Sequence, residues 1–198
     1  MSNVNNAPVI DNPVMLDKVL GEIQTGLVLT LPWLDVAFGK CQRLTKNVEG
    51  RRIVTPNVYC GGWNGHGPDD YIEVSPDSKI GNFSFFDIDD PQTIDVGPWA
   101  RTVTAPFGLI VWFDLRRVYG VADNRNTEYL KAQVLRVLNG RDGWHLATGR
   151  ITVARIYERA ENIYRGYSLQ EVDNQFLMHP FGGFRIDGTL MFDELCEA

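Results

Sequence analysis

The chain has 198 residues, 44% of them hydrophobic and 22% charged, and 25 acidic against 19 basic side chains give a formal net charge of −6. Such a length and composition fit one globular domain with a sizeable core and argue against a disordered chain. The acid excess argues against a surface that grips phosphate backbones, although nucleic acid can slide past a surface of like charge.

In chain order, Met1 to Pro13 is an Asn- and Pro-rich arm, expected to be flexible and lacking the basic-then-apolar plan of a signal peptide. Val14 to Leu29 reads as a helix, because Met15, Leu16, Val19, Leu20, Ile23 and Leu27 recur at spacings of three and four. Asn12 followed by Pro13 predicts its N-cap and first helical position. The apolar run from Leu27 to Leu34 is interrupted by Thr30 and Pro32 and is too short to span a bilayer.

Pro32 ends the helix. Val36, Phe38 and Cys41 then predict a strand, and Arg52 to Cys60 a partner returning after an Asn47–Arg51 turn. Cys60 to Asp70 is a loop with four glycines in eleven residues. An exposed Trp63 in it would serve as a contact tip for another protein. Tyr71 to Val74 and Asn82 to Ile88 predict short strands, and Asp87 to Pro98 an acidic, proline-bearing connection.

Ala100 to Tyr119 carries the strongest strand signal. Its run Phe107-Gly108-Leu109-Ile110-Val111-Trp112-Phe113 is apolar on both faces, as at the centre of a sheet covered from both sides. Thr127 to Leu138 predicts a second helix, capped by Asn126 or Thr127 and ended by Gly140. Ile151 to Tyr157 and Phe176 to His179 predict further strands. In the last stretch Phe184, Ile186, Leu190 and Phe192 alternate with Arg185, Asp187, Thr189 and Met191, predicting a strand with one face on the core and the other in water. The whole predicts an α+β domain over residues 14–198, a mainly antiparallel twisted sheet flanked by two helices, with long loops.

Chemistry-bearing residues are scattered. There is no GxxxxGK[ST], GxGxxG or GxSxG motif. His66, His145 and His179 stand far apart, and Cys41, Cys60 and Cys196 form no CxxC pair, reading as reduced and mostly buried thiols. Asp69-Asp70 and Asp87, Asp89 and Asp90 read as solvated loop acids; a hydrolase using them is the catalytic alternative. The basic residues group as Arg116-Arg117, Arg150, Arg155, Arg159 and Arg165; Arg155 and Arg159 interleave with Glu158 and Glu161, a mixed-sign stripe that marks a solvated face or ion pairs between subunits ahead of a nucleic-acid contact. No cofactor or metal is expected.

The helix Met15–Leu29 followed by Pro32-Trp33-Leu34-Asp35, the segment Gly81-Asn82-Phe83-Ser84-Phe85-Phe86, the run Ile110-Val111-Trp112-Phe113-Asp114-Leu115, and Phe181 to Leu190 together resemble the tail-terminator and neck proteins of tailed bacteriophages. These phrases span about two thirds of the chain and include no catalytic motif. The resemblance implies a virion protein without chemistry of its own, assembled in the host cytoplasm as a head-to-tail homo-oligomeric ring between portal and tail. Its acid-lined channel would pass genomic DNA without sequence-specific binding. Portal and adjacent neck or tail proteins are then the partners, with no membrane. The arm and the Gly-rich loop would order on assembly, and Trp63, Asn64, His66, Arg155 and Arg159 are the candidate subunit or partner contacts. The alternative is a glycan- or receptor-binding module that stacks sugars on Trp63, Trp99 and Trp144.

Overall fold

The structure, a computed structural model, describes residues 6–76, 80–97, 100–121, 124–140, 146–168 and 177–195. Among these the elements run α1 (Met15–Thr30), β1 (Val36–Val48), β2 (Arg51–Tyr59), a 3-10 turn at Trp63–Gly65, β3 (Tyr71–Glu73), β4 (Phe83–Ile88), β5 (Thr93–Val96), β6 (Ala100–Asp114), α2 (Leu115–Tyr119), α3 (Thr127–Leu138), β7 (Gly149–Tyr157), α4 (Ala160–Ile163) and β8 (Phe181–Leu195). The strands form one sheet in the order β3-β2-β1-β4-β6-β8-β7, with β5 also paired to β6. Every pairing is antiparallel except β1 with β4. The fold is α+β, as the element pattern predicts.

β6 and β8 are the spine, paired without a break from Ala100↔Leu195 to Asp114↔Phe181. Alternate residues of β6 point to opposite faces, and each face has its own core. On one side Val103, Ala105, Phe107, Leu109, Val111 and Phe113 meet the apolar stripes of α1 and α3, together with Phe184, Ile186, Leu190 and Phe192 of β8. On the other, Ile110 and Trp112 pack with Phe83, Phe85, Val36, Phe38, Ile163 and Tyr164. Trp112 lies stacked between Phe83, at 5.6 Å, and Phe181, at 5.5 Å. The central strand is therefore covered on both faces, as its apolar run predicts.

Several expectations are corrected. The final strand wets that face only towards its end: Met191 is 45% exposed, but Arg185 is 0% exposed, because the second core and the 163–168 segment cover that part of the side period two assigned to water. Helix α1 begins at Met15 with Val14, not Asn12, as N-cap and no side-chain cap. Asn12 and Met15 both have left-handed φ, 50° and 49°, which turns the chain before the helix proceeds. The strand expected to Tyr119 stops at Asp114, whose side chain accepts from the Arg116 backbone N–H and caps α2.

Residues 177–180 form a turn rather than a strand, with Leu115 N–H donating to Pro180 O, and Phe176 lies outside the described residues. Residues 93–96, expected as connection, form β5. Helix α3 matches its expected bounds, with Asn126 Oδ1 accepting from Tyr129 N–H. The β1–β2 hairpin turns at Glu49 and Gly50, both with positive φ, as a two-residue connection requires.

Candidate functional site

The most concentrated group of ionisable side chains lies where β4, β6 and β8 run side by side. In the register Asp87 is opposite Gly108, and Gly108 is opposite Asp187, so both carboxylates flank one glycine on the face of the second core. Arg185, two residues from Asp187 on the same face, bridges them. Its Nη1 donates to Asp87 Oδ2 at 2.8 Å and its Nε to Asp187 Oδ1 at 2.6 Å. A Cβ at Gly108 would overlap the guanidinium, so the glycine provides the slot in which the arginine lies.

Two more arginines complete the group. Arg43 of β1 donates to both oxygens of Asp87, at 2.9 and 3.0 Å from Nη2. Arg165 binds Asp187 at 2.9 Å and Asp89 at 3.2 Å. Tyr167 donates to Asp87 Oδ1 at 2.8 Å, and its hydroxyl lies 2.8 Å from the Cys41 sulfur. The Arg43 guanidinium stands over the Tyr167 ring, and that of Arg165 over the Tyr157 ring. Three arginines thus meet three aspartates, and the two buried members, Arg185 and Asp87, are paired with each other, as burial demands.

This balance sets the proton affinities. Burial pushes the Asp87 carboxyl up, but hydrogen bonds from Arg43, Arg185 and Tyr167 outweigh it and hold the group below its ordinary value. Burial, with the Asp87 charge adding to it, pushes the Cys41 thiol up to about 12 against the lowering contact of Tyr167. Burial also lifts the Tyr167 hydroxyl far above its usual range, and Cys41 and Asp87 add to the shift. Asp87 is therefore held ionised, and Cys41 and Tyr167 protonated, at neutral pH. None of the three is poised for proton transfer or nucleophilic attack there. What the cluster does is tie β1, β4, β8 and the 165–167 segment together.

Beside the cluster is an open cleft of about 450 Å³ lined by residues 40–43, 87–90 and Gln92. It forms where β1 parts from β4: their pairing ends at Lys40↔Phe86, and β1 continues as a ribbon with β2 alone. Residues 42–52 of that ribbon are all exposed, with Leu44 at 46% and Val48 at 47%. The arm, from Asn6, lies along the body. Asn6 bridges to Val36, the buried Gln24 amide donates to Pro8 O at 2.8 Å and Ala37 O at 2.9 Å, and Val9 packs against Gly21.

The sequence-predicted contacts fall in two places. Trp63 is half-buried with its ring edge-on to Phe38 at 5.6 Å; Asn64 and His66 beside it are exposed. Arg155 is on β7 opposite Asp187, and Arg159 precedes α4; both are exposed. β3, next to the Trp63 loop, and β7 are the two ends of the strand order, so these groups are not brought together. Trp99, Trp144, His145 and Cys196 lie outside the described residues, whereas Cys41 and Cys60 are buried and not disulfide-bonded.

The buried cluster was missed by sequence reasoning. Asp87 was read as a solvated loop acid, yet it lies within β4 and is buried. The one available signal was a glycine inside the most apolar strand, which often marks a close approach by another group. Among the described residues no group of three or more His, Cys, Asp or Glu is placed to hold a metal ion, and no helix is long and apolar enough to cross a membrane. No protein-family model matches the chain, and no curated protein matches it significantly.

Proposed function

We propose that this protein is a structural subunit that works by shape, joining identical copies head-to-tail into a ring at the head–tail junction of a tailed bacteriophage. The observation that carries the reading is the β1–β2 ribbon. A two-stranded ribbon is marginal in water by itself, and this one leaves the sheet with eleven consecutive exposed residues, 42–52, and two exposed aliphatic side chains. The buried cluster stiffens its base through Arg43, and Lys46 pairs with Glu73 at 2.6 Å. A ribbon fixed at its root and bare at its end is shaped to lie on a neighbouring subunit.

The placement of the candidate contacts supports the same reading. A ring made by rotation uses two different surfaces of each copy, and Trp63–His66 and Arg155–Arg159 sit towards opposite ends of the strand order. The net charge of −6 suits a channel through which DNA moves without adhering. On this reading the partners are further copies, the portal and adjacent neck or tail proteins, and the site is the virion.

The test is native mass spectrometry of the full chain, alone and mixed with the portal protein of the same genome. A closed multimer of one stoichiometry, in either sample, is the expected result. A monomer in both, or turnover of a small molecule abolished by a single side-chain change, overturns the reading.

A further inference from the structure

β5 and β7 are among the strands of this sheet that have an edge without a strand partner among the described residues; β3, at the other end of the strand order, is only three residues long. β7 ends the strand order, and β5 pairs with β6 alone. All four residues of β5 are exposed, and in β7 Arg150, Thr152 and residues 154–156 are. Unpaired backbone groups in such strands are templates for another chain.

The two edges match on both faces. Register fixes the side of each residue. On the face of the buried cluster, β7 presents Arg150 and Arg155; a bulge between Val153 and Arg155 is what returns Arg155 to that face, opposite Asp187. On the same face β5 presents Asp95, opposite Thr102, with Asp193 the next residue along that row. On this face β7 thus offers two guanidiniums and β5 one carboxylate. On the helix-covered face β7 presents Ile151, Val153 and Ile156, the last 39% exposed, and β5 presents Ile94 and Val96, 54% and 76% exposed.

Building on the ring reading, we propose that β5 of one copy pairs edge-on with β7 of the next, so that the sheet continues from subunit to subunit. A ring keeps the same face of each subunit outward. Joining these edges therefore sets arginine beside aspartate on one side and aliphatic beside aliphatic on the other, while backbone hydrogen bonds supply the register. The occupant of each edge is a second copy of this chain. The competing account is that charge and bulge only protect β7 from aggregation, and it makes the opposite prediction for the variants below.

The experiment compares assembly of the full chain with Arg150→Glu, Asp95→Lys and the double variant at equal concentration by native mass spectrometry, with circular dichroism confirming the fold. Each single reversal is expected to lower the assembled fraction about tenfold, because like charges then face each other. The double variant is expected to recover it to within about threefold. Val96→Asp, which places a charge in the aliphatic row, is expected to act like the single reversals. If the wild-type chain forms rings and all these variants form them equally well, the edge pairing is overturned and the ring reading stands. If the wild-type chain stays monomeric alone and with the portal protein, both fall.

Discussion

Arg185 on β8 lies over Gly108 on β6, and the absence of a side chain at Gly108 is what admits its guanidinium between Asp87 and Asp187. The arrangement needs three neighbouring strands in one register, Asp87↔Gly108↔Asp187. Gly108→Ala is therefore expected to destabilise the fold by about 2–3 kcal/mol, the range for forcing a methyl group into filled space. Denaturant unfolding measures this, and the double variant Gly108→Ala/Arg185→Ala should lose clearly less than the sum of the singles, since removing the guanidinium removes the clash. Additive losses would show that the slot does not exist.

Arg185→Leu removes the buried cation that Asp87 and Asp187 share. Asp87 keeps Arg43 and Tyr167 and Asp187 keeps Arg165, so both keep a partner but are less well compensated. A loss of about 3–5 kcal/mol is expected from equilibrium unfolding. Arg185→Lys should not restore it, because a single ammonium cannot reproduce the two-sided donation of the guanidinium.

Acid should unfold this protein partly through Asp87. Its folded-state proton affinity is depressed by Arg43, Arg185 and Tyr167 in spite of burial. The stabilisation is thus fully present above the unfolded carboxyl value, near pH 4, and is lost as pH falls through the lower folded value. Asp87→Asn should be less stable at pH 7, and its stability should fall less steeply than wild type below about pH 4. Parallel pH profiles for the two proteins would contradict the assignment.

Cys41 should be inert in the folded state. Its thiol sits against Tyr167 with its proton affinity pushed up to about 12, mainly by burial. In a Cys60→Ser/Cys196→Ser background, a disulfide reagent at pH 8 should label it only after denaturant is added. Rapid labelling of the native protein would mean that the cleft exposes the sulfur.

Trp112 is buried in the middle of β6 between Phe83 and Phe181. Trp112→Ala is expected to cost about 3–5 kcal/mol. A loss below about 1 kcal/mol would place the strand at the periphery.

Patterns of period two and 3.6 were enough to locate α1, α3, the β1–β2 hairpin, the central strand and the final strand, because those elements bury stripes that local spacing displays. The run from Phe107 to Phe113 also announced that both its faces are covered. Local spacing misled at β8. Arg185 and Asp187 occupy alternate positions and look like a wet face, but which side of a sheet is wet depends on what the rest of the chain lays over it. The 163–168 segment, part of the connection from β7 to β8, covers that side and brings Tyr167 and Arg165 to the aspartates.

Asp87 shows the division most plainly. In the chain it opens an acidic, proline-bearing stretch and resembles any solvated loop acid. Its burial follows from the pairing of β4 with β6, and its ionisation from an arginine 98 residues away and another 44 residues away. The amino-acid order alone placed α1, α3, the β1–β2 hairpin and the central and final strands and pointed to an α+β domain, because those follow from neighbours within a few residues. Which carboxylates are buried, why one glycine must stay a glycine, and which strand edges remain open were settled only by long-range pairing, since electrostatic and steric contacts depend on distance in space and not along the chain.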